Sequence, residues 1–186
     1  MHFPQTFKLS SLLAALLLLA AISSAQASDM TFNINANGAN EVTSGGTPNQ
    51  GDPDGTAIGT LTLDNGDGTG NTGFATFSLL LNNIDLTTLS GHHIHMGPIT
   101  STGGIVINFG DPDTILSGNM LSGTIMNLPA ATITSVFGNP TAFYYNLHNG
   151  AFPGGAVRDQ LVPEPGTYAL LALGAAGFAV ARRRRK

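Results

Sequence analysis

The chain of 186 residues contains no cysteine. This absence excludes disulfide bonds, catalysis by a thiol, zinc sites with Cys ligands and a lipidated N-terminal cysteine. The fold must therefore be held by its core alone. Residues 28–162 are the size of a single domain, which is long enough to build such a core without the staples that smaller scaffolds need.

Positive charge is nearly absent from the middle of the chain. Between residues 28 and 162, Arg158 is the only Lys or Arg, since the other cations are Lys8 and the block 182–186. The same stretch contains ten of the 11 acidic residues, and ten acids against one base give a net charge of −9. Such a surface repels phosphate backbones, so the sequence predicts no nucleic-acid partner. It suits a soluble extracellular protein, or one that associates loosely with divalent cations.

Residues 1–27 have the pattern of a secretory signal peptide. A basic start at Lys8 is followed by an apolar run and by the small-x-small ending Ala25-Gln26-Ala27. The apolar run is about a dozen residues long, too short for a stable membrane span. The pattern predicts an N-terminal signal helix, export by the Sec machinery and cleavage after Ala27.

The C-terminal segment, residues 163–186, has a different organisation. An uncharged run from Thr167 to Ala181 is followed by the cations Arg182 to Lys186. A run this short spans a bilayer only marginally. The segment is predicted to form a transmembrane helix, and the basic block would keep its end on the cytoplasmic side.

This segment resembles the PEP-CTERM sorting signal of Gram-negative bacteria. The resemblance rests on three successive parts: a proline motif, the apolar helix and the arginine-rich tail. It implies recognition by an exosortase, an intermediate anchored in the inner membrane, and delivery to the cell surface or the exopolysaccharide matrix. The motif residues would be recognised by the sorting enzyme and would not be catalytic; they are Val162, Pro163, Glu164 and Pro165.

The domain itself shows the pattern of short β-strands separated by turns. Alternating or β-branched runs occur at 30–36, 57–63, 74–81, 105–109, 123–128, 143–147 and 156–161. Strands of this length, with Gly, Asn and Asp between them, predict an all-β fold, an antiparallel Greek-key sandwich or barrel. One short helix is predicted over 129–138, where Pro129 begins the segment and Gly138 ends it.

Two aspartate clusters are read as turns. The stretch 64–68 contains Asn-Gly and Asp-Gly, which tolerate the positive φ of tight hairpins. A calcium loop would need a ligand at the position of Gly66 and a later glutamate, and neither is present. The stretch 51–55 is interpreted in the same way.

Three of the five histidines fall within four positions. If they lie on a strand, His93 and His95 share one face, while His92 lies on the other. A metal site needs a third ligand, and His148 is the remaining histidine of the domain. Neutral imidazole suits copper or zinc. The alternative is that these rings bond the backbone and hold the strand ends together, and spacing alone favours this alternative.

The stretch from about 38 to 161 resembles a CHRD domain, a module of chordin and of bacterial exported proteins. The matching pieces are 38–42, 55–63, 93–98, 103–109, 121–125 and 144–161. The hallmarks of that family map onto His93, His95, Gly97, Asn146, His148, Pro153, Gly154, Gly155 and Arg158. Two departures are "EVTSGG", where prolines usually follow Glu-Val, and Asp159, where glycine is usual. The resemblance implies an architecture and assigns no activity.

A weaker similarity to Cu,Zn superoxide dismutase lies in the order of motifs. The His-x-His pair is followed by His148 and then by a Gly-rich turn leading to Arg158. The loop 96–104 contains no histidine, so the similarity implies at most a three-histidine copper site. Arg158 could steer anions to that site. It could equally bond carbonyls or a carboxylate as a structural fork, and that role is favoured.

Taken together, the sequence predicts a non-enzymatic exported protein with a structural, adhesive or binding role. Exopolysaccharide or surface proteins are its expected partners, and no cofactor is expected. No Gly-x-Ser-x-Gly elbow is present. Glu41 is the domain's one glutamate, and a lone acid rarely makes an active site. The alternative is a copper-binding redox protein with superoxide dismutase-like chemistry at His93, His95 and His148.

Overall fold

A computed structural model of the chain describes residues 29–66, 72–112 and 115–163. The predicted signal helix and transmembrane helix lie outside these residues, as do Glu164 and Pro165 of the sorting motif. Among the described residues, no helix is long and apolar enough to cross a membrane.

The described residues form nine strands and one α-helix. The strands are β1 (Asp29–Asn37), β2 (Thr56–Asp64), β3 (Thr72–Asn82), β4 (Leu89–Met96), β5 (Ile105–Asn108), β6 (Leu116–Ser117), β7 (Met120–Pro129), β8 (Phe143–Asn149) and β9 (Val157–Gln160). The helix, α1, spans Ala130–Gly138 and buries Ile133 and Val136. Pro129 precedes it, where the missing N–H of proline removes no helical hydrogen bond.

The strands join in one antiparallel sheet in the order β5-β4-β8-β9-β1-β2-β3-β7-β6. Although β3 and β4 are far apart in this order, the rings of Phe77 on β3 and His92 on β4 lie 4.9 Å apart. The sheet therefore curls over its own core as a half-barrel. The predicted all-β antiparallel fold with one short helix is confirmed.

Alternation of side chains explains how the core is filled. In β3, Ala75, Phe77, Leu79 and Leu81 are buried, while the residues between them are exposed or partly exposed. Because successive strand residues point to opposite faces, one apolar face per strand is enough to line the inside of the curled sheet.

Strand β4 places a histidine in this core. His92 is fully buried between Phe77, Phe109 and Tyr145, with ring centroids 4.9, 5.2 and 6.3 Å away. Neither of its ring nitrogens has a hydrogen-bond partner among the described residues. Burial, together with the smaller effect of the nearby His93, lowers its pKa to about 3. His92 is therefore a neutral core residue at physiological pH.

Replacing this histidine with an apolar residue of similar size should stabilise the domain. We expect His92→Leu to raise the free energy of unfolding by about 1–3 kcal/mol, since it removes buried polar atoms that lack partners. The gain should widen in acid. The folded pKa of about 3 lies below the usual 6.5, so between these pH values unfolding takes up a proton. The free energy of unfolding of the wild type then falls by about 1.4 kcal/mol per pH unit. Urea unfolding of both proteins at pH 7 and pH 5 measures this, and a less stable variant would contradict it.

The described chain ends against β1. After β9, Val162 is exposed, whereas Pro163 is buried and forms an isolated antiparallel bridge with Phe32. The first proline of the sorting motif is thus packed on the body of the domain.

Candidate metal centre

The structure brings His93, His95 and His148 together. The first two lie on β4, and His148 lies on the neighbouring strand β8. Their ring centroids are 5.1–5.7 Å apart, and one potential ligand atom from each lies within 4.8 Å of the others. They occupy the face of β4 opposite to His92, as strand alternation predicts. No other group of three His, Asp or Glu ligands was found in the described ranges.

Gly91 makes room for this cluster. It is paired with His148 across the two strands, on the same face as His93. A Cβ at position 91 would lie 2.7 Å from Cε1 and 2.9 Å from Nε2 of His93. Any larger residue would push the ring of His93 away from its present position.

Two backbone carbonyls determine which nitrogens are free. Nδ1 of His95 lies 2.9 Å from the carbonyl oxygen of Gly103, and Nδ1 of His148 lies 3.1 Å from that of Pro153. A carbonyl oxygen can only accept, so each Nδ1 carries the proton and each Nε2 keeps its lone pair. Within the described part of the chain, both Nε2 atoms lack a hydrogen-bond partner, and so does Nδ1 of His93. Carbonyl-oriented rings of this kind are the usual support of metal-bound histidines.

The three imidazoles are held in their neutral form. Burial is the largest cause in each case and lowers the pKa values of His93, His95 and His148. Repulsion from neighbouring rings acts in the same direction at His93 and His95, and the two effects together bring the pKa of His93 to about 4. Metal ions bind the neutral ring, so the cluster is ready for a ligand role. Three unpartnered imidazole nitrogens fit copper or zinc.

The ring of His95 is packed against Tyr144, which in turn is packed against Arg158. The ring of Tyr144 lies parallel to that of His95, with centroids 5.0 Å apart and planes 10° apart. The guanidinium carbon of Arg158 lies 3.6 Å from the centre of the Tyr144 ring. The hydroxyl of Tyr144 accepts a hydrogen bond from the Gly103 N–H, so Gly103 contacts both members of the stacked pair.

Arg158 is buried, with 1% of its surface exposed. It donates hydrogen bonds to the carbonyl oxygens of Pro98 at 2.7 Å and Ser101 at 3.0 Å. Both carbonyls belong to the loop between β4 and β5, which also carries Gly103. This geometry supports the structural role for Arg158 over the steering of anions from solvent.

Glu41 is part of the same buried layer, which reasoning from the sequence did not detect. Its carboxyl is buried, and burial raises its pKa to about 7 against the opposing effects of Arg158 and of a hydrogen bond from Asn146. A Cβ on Gly155 would overlap the Glu41 carboxylate, and φ is +141° at this glycine. Gly155 is therefore required for Glu41 to fit. The sequence offered one clue to this role. The motif residues Gly155 and Arg158 both lie near Glu41 in the structure, and Arg158 is the cation that acts on its carboxyl.

The structure describes only the first part of the predicted turn at 64–68. Asp64 accepts a hydrogen bond of 2.6 Å from the N–H of Gly66, as in a turn closed by its own side chain. Asp67 lies outside the described residues.

Comparison with known families agrees with the two resemblances drawn from the motifs. The family model of the PEP-CTERM protein-sorting motif matches residues 161–185. This motif implies recognition by an exosortase, export and membrane-anchored processing in a Gram-negative bacterium. No curated protein and no solved structure matches the chain significantly. The CHRD domain model matches residues 32–161, which include the imidazole cluster, Glu41 and Arg158. On this match over most of its length, the chain belongs to the CHRD domain family.

Proposed function

We propose that the exported domain is a metal-binding component of the cell surface or the exopolysaccharide matrix. One observation carries the proposal: three imidazole nitrogens without partners in the described residues lie on one face of β4 and β8, with ligand atoms within 4.8 Å of one another. Burying such polar atoms is unfavourable unless they are satisfied, and a metal ion would satisfy all three at once.

Copper is the ion that the donor set favours. The cluster of His93, His95 and His148 offers imidazole only, which suits copper and zinc, and intrinsic affinities for divalent ions peak at copper. Bound copper would supply one-electron redox chemistry, and bound zinc would act as a Lewis acid. The chain's own contribution is to hold three neutral rings together, with the tautomers of His95 and His148 fixed by backbone carbonyls.

The role proposed for the loaded domain is structural or adhesive. Arg158 is engaged with loop carbonyls, and the metal-ligand cluster contains no carboxylate that could move a proton. The net charge of −9 between residues 28 and 162 suits contacts with matrix partners, exopolysaccharide or surface proteins, through divalent cations.

A second candidate function is a superoxide dismutase-like redox activity. The observation in its favour is that three protein ligands leave a coordination position open, as catalytic metal sites do. Superoxide consumption by copper-loaded protein distinguishes the two functions. Turnover that exceeds that of free copper and is lost in His148→Ala would favour the enzyme.

Metal analysis tests the proposal directly. We expect the exported protein to bind one copper ion per chain after dialysis against copper, and His93→Ala, His95→Ala and His148→Ala each to reduce the affinity at least tenfold. His92→Leu is the matched control, because it changes a histidine of the same strand that faces the core. Copper content that is unchanged in the His148→Ala protein would exclude that residue as a ligand.

The sorting motif gives an independent prediction. Replacing both Pro163 and Pro165 with alanine should leave full-length protein in the inner membrane, because the exosortase no longer recognises the segment. Fractionation followed by detection of the C-terminal segment measures the effect. A Thr167→Ala variant, changed outside the motif, serves as the control. Normal release of the double proline variant would contradict the assigned role of the motif.

A further inference from the structure

Asn146 lies on the same face of the sheet as the imidazole cluster. It is paired with His93 across β4 and β8, and it precedes His148 by two residues on its own strand. Alternation therefore directs its side chain to the face of the metal ligands. Only 1% of its surface is exposed, so its amide must find partners inside the protein.

The amide of Asn146 is satisfied on one side only. Its Nδ2 group and the Glu41 carboxyl both lie within 2.7 Å of the position that a Cβ on Gly155 would take, and a hydrogen bond from Asn146 lowers the pKa of Glu41. Its Oδ1 atom is buried and has no hydrogen-bond partner in the described structure. An acceptor without a donor is thus left on the face of the sheet that carries the imidazole cluster, directly across from His93.

Glu41 is itself held in place. The positive charge of Arg158 favours the ionised form of Glu41. Gly155 packs directly against the carboxylate, so that a side chain at position 155 would overlap it. Above its pKa of about 7, Glu41 is a carboxylate that only accepts, and it then holds the N–H side of the Asn146 amide toward itself. The oxygen of the same amide then faces away from Glu41.

Three imidazoles leave the metal one ligand short of four-coordination. We propose that Asn146 Oδ1 accepts a hydrogen bond from an oxygen ligand, water or hydroxide, that completes the coordination of the metal, with Glu41 as the residue that positions the amide. This inference rests on the proposed metal site. It predicts that the open position prefers ligands that carry a hydrogen over aprotic anions such as azide, because the Asn146 oxygen repels the latter.

Azide titration of the full-length, copper-loaded protein tests the inference, with binding followed in the Cu(II) absorption and electron paramagnetic resonance spectra. In Asn146→Ala we expect azide to bind at least fivefold more tightly than in the wild type. Glu41→Gln should tighten azide binding as well, because a glutamine can accept or donate and releases the amide of Asn146 to turn its N–H group toward the anion. Copper content near one per chain verifies that each variant still forms the site.

The matched control is Asn149→Ala. Asn149 is an equally buried asparagine of β8, but alternation places it on the other face of the strand. Its azide affinity should equal that of the wild type. Equal azide affinities in wild type, Asn146→Ala and Glu41→Gln would overturn the inference while leaving the metal site intact. If Asn146→Ala does not fold, Glu41→Gln alone decides. A wild type that binds no copper would overturn the proposed function together with this inference.

Discussion

Copper is expected to raise the midpoint of thermal unfolding by about 10–20 °C, and His148→Ala should abolish this shift. A ligand at a thousand times its dissociation constant stabilises the folded state by about 4 kcal/mol, and a domain of this size gains a few degrees for each kcal/mol. Without His148, only the two imidazoles of β4 remain, and the ion loses its ligand from β8. Calorimetry with and without copper measures the shift. The His92→Leu protein should keep it in full.

The stabilisation by copper should persist in mildly acidic solution. Protons compete with the ion only as the rings become charged, and burial holds the pKa of His93 at about 4 in the folded protein, below its usual 6.5. The metal-free protein itself loses stability over this range, because between pH 4 and 6.5 unfolding takes up a proton at His93 and the free energy of unfolding falls as the pH is lowered. The copper-dependent shift measured at pH 7 and pH 5.5 should therefore remain similar. Complete loss at pH 5.5 would contradict the neutral, buried cluster.

Replacing Arg158 with leucine should lower the free energy of unfolding by about 3–5 kcal/mol, because it removes two hydrogen bonds from a charged donor, each contributing about 1.5–3 kcal/mol. The loop carbonyls of Pro98 and Ser101 would lose their donors, and the pKa of the buried Glu41 would rise further without the nearby cation. Because this loop also holds His95 through Gly103, copper affinity should fall with stability.

The comparison with Arg158→Lys separates charge from shape. Lysine keeps the positive charge but lacks the planar fork that contacts two carbonyls and stacks on Tyr144. Its urea midpoint should lie between those of the wild type and Arg158→Leu. If all three proteins unfold at the same urea concentration, the buried layer around Arg158 contributes nothing to stability.

Much of the fold was predictable because strand alternation is a local property. The run 74–81 predicted β3, and Pro129 and Gly138 predicted the helix that the structure shows as α1. The curl of the sheet was not predictable in the same way. It depends on contacts such as Phe77 with His92, which join strands that are distant both in sequence and in sheet order.

The candidate site was also predictable only in part, because the strand pattern is local whereas its supporting contacts join distant residues. Alternation separated His93 and His95 from His92, and His148 was the remaining histidine of the domain. The supporting residues carry no such periodic signal. Gly91 matters only because the ring of His93 lies over it, and Gly103 matters through a carbonyl whose direction depends on the loop backbone. Glu41 was set aside as a lone acid, since its link to Asn146 requires two elements more than 100 residues apart to meet.

The packing of Pro163 against Phe32 has a consequence for how the protein stands at the membrane before it is processed. From Pro163 to the start of the apolar run at Thr167 there are four chain steps, which span at most about 14 Å when fully extended. With the apolar run in the membrane, as the sorting motif implies, so short a tether would keep the edge where β1 and Pro163 meet close to the bilayer.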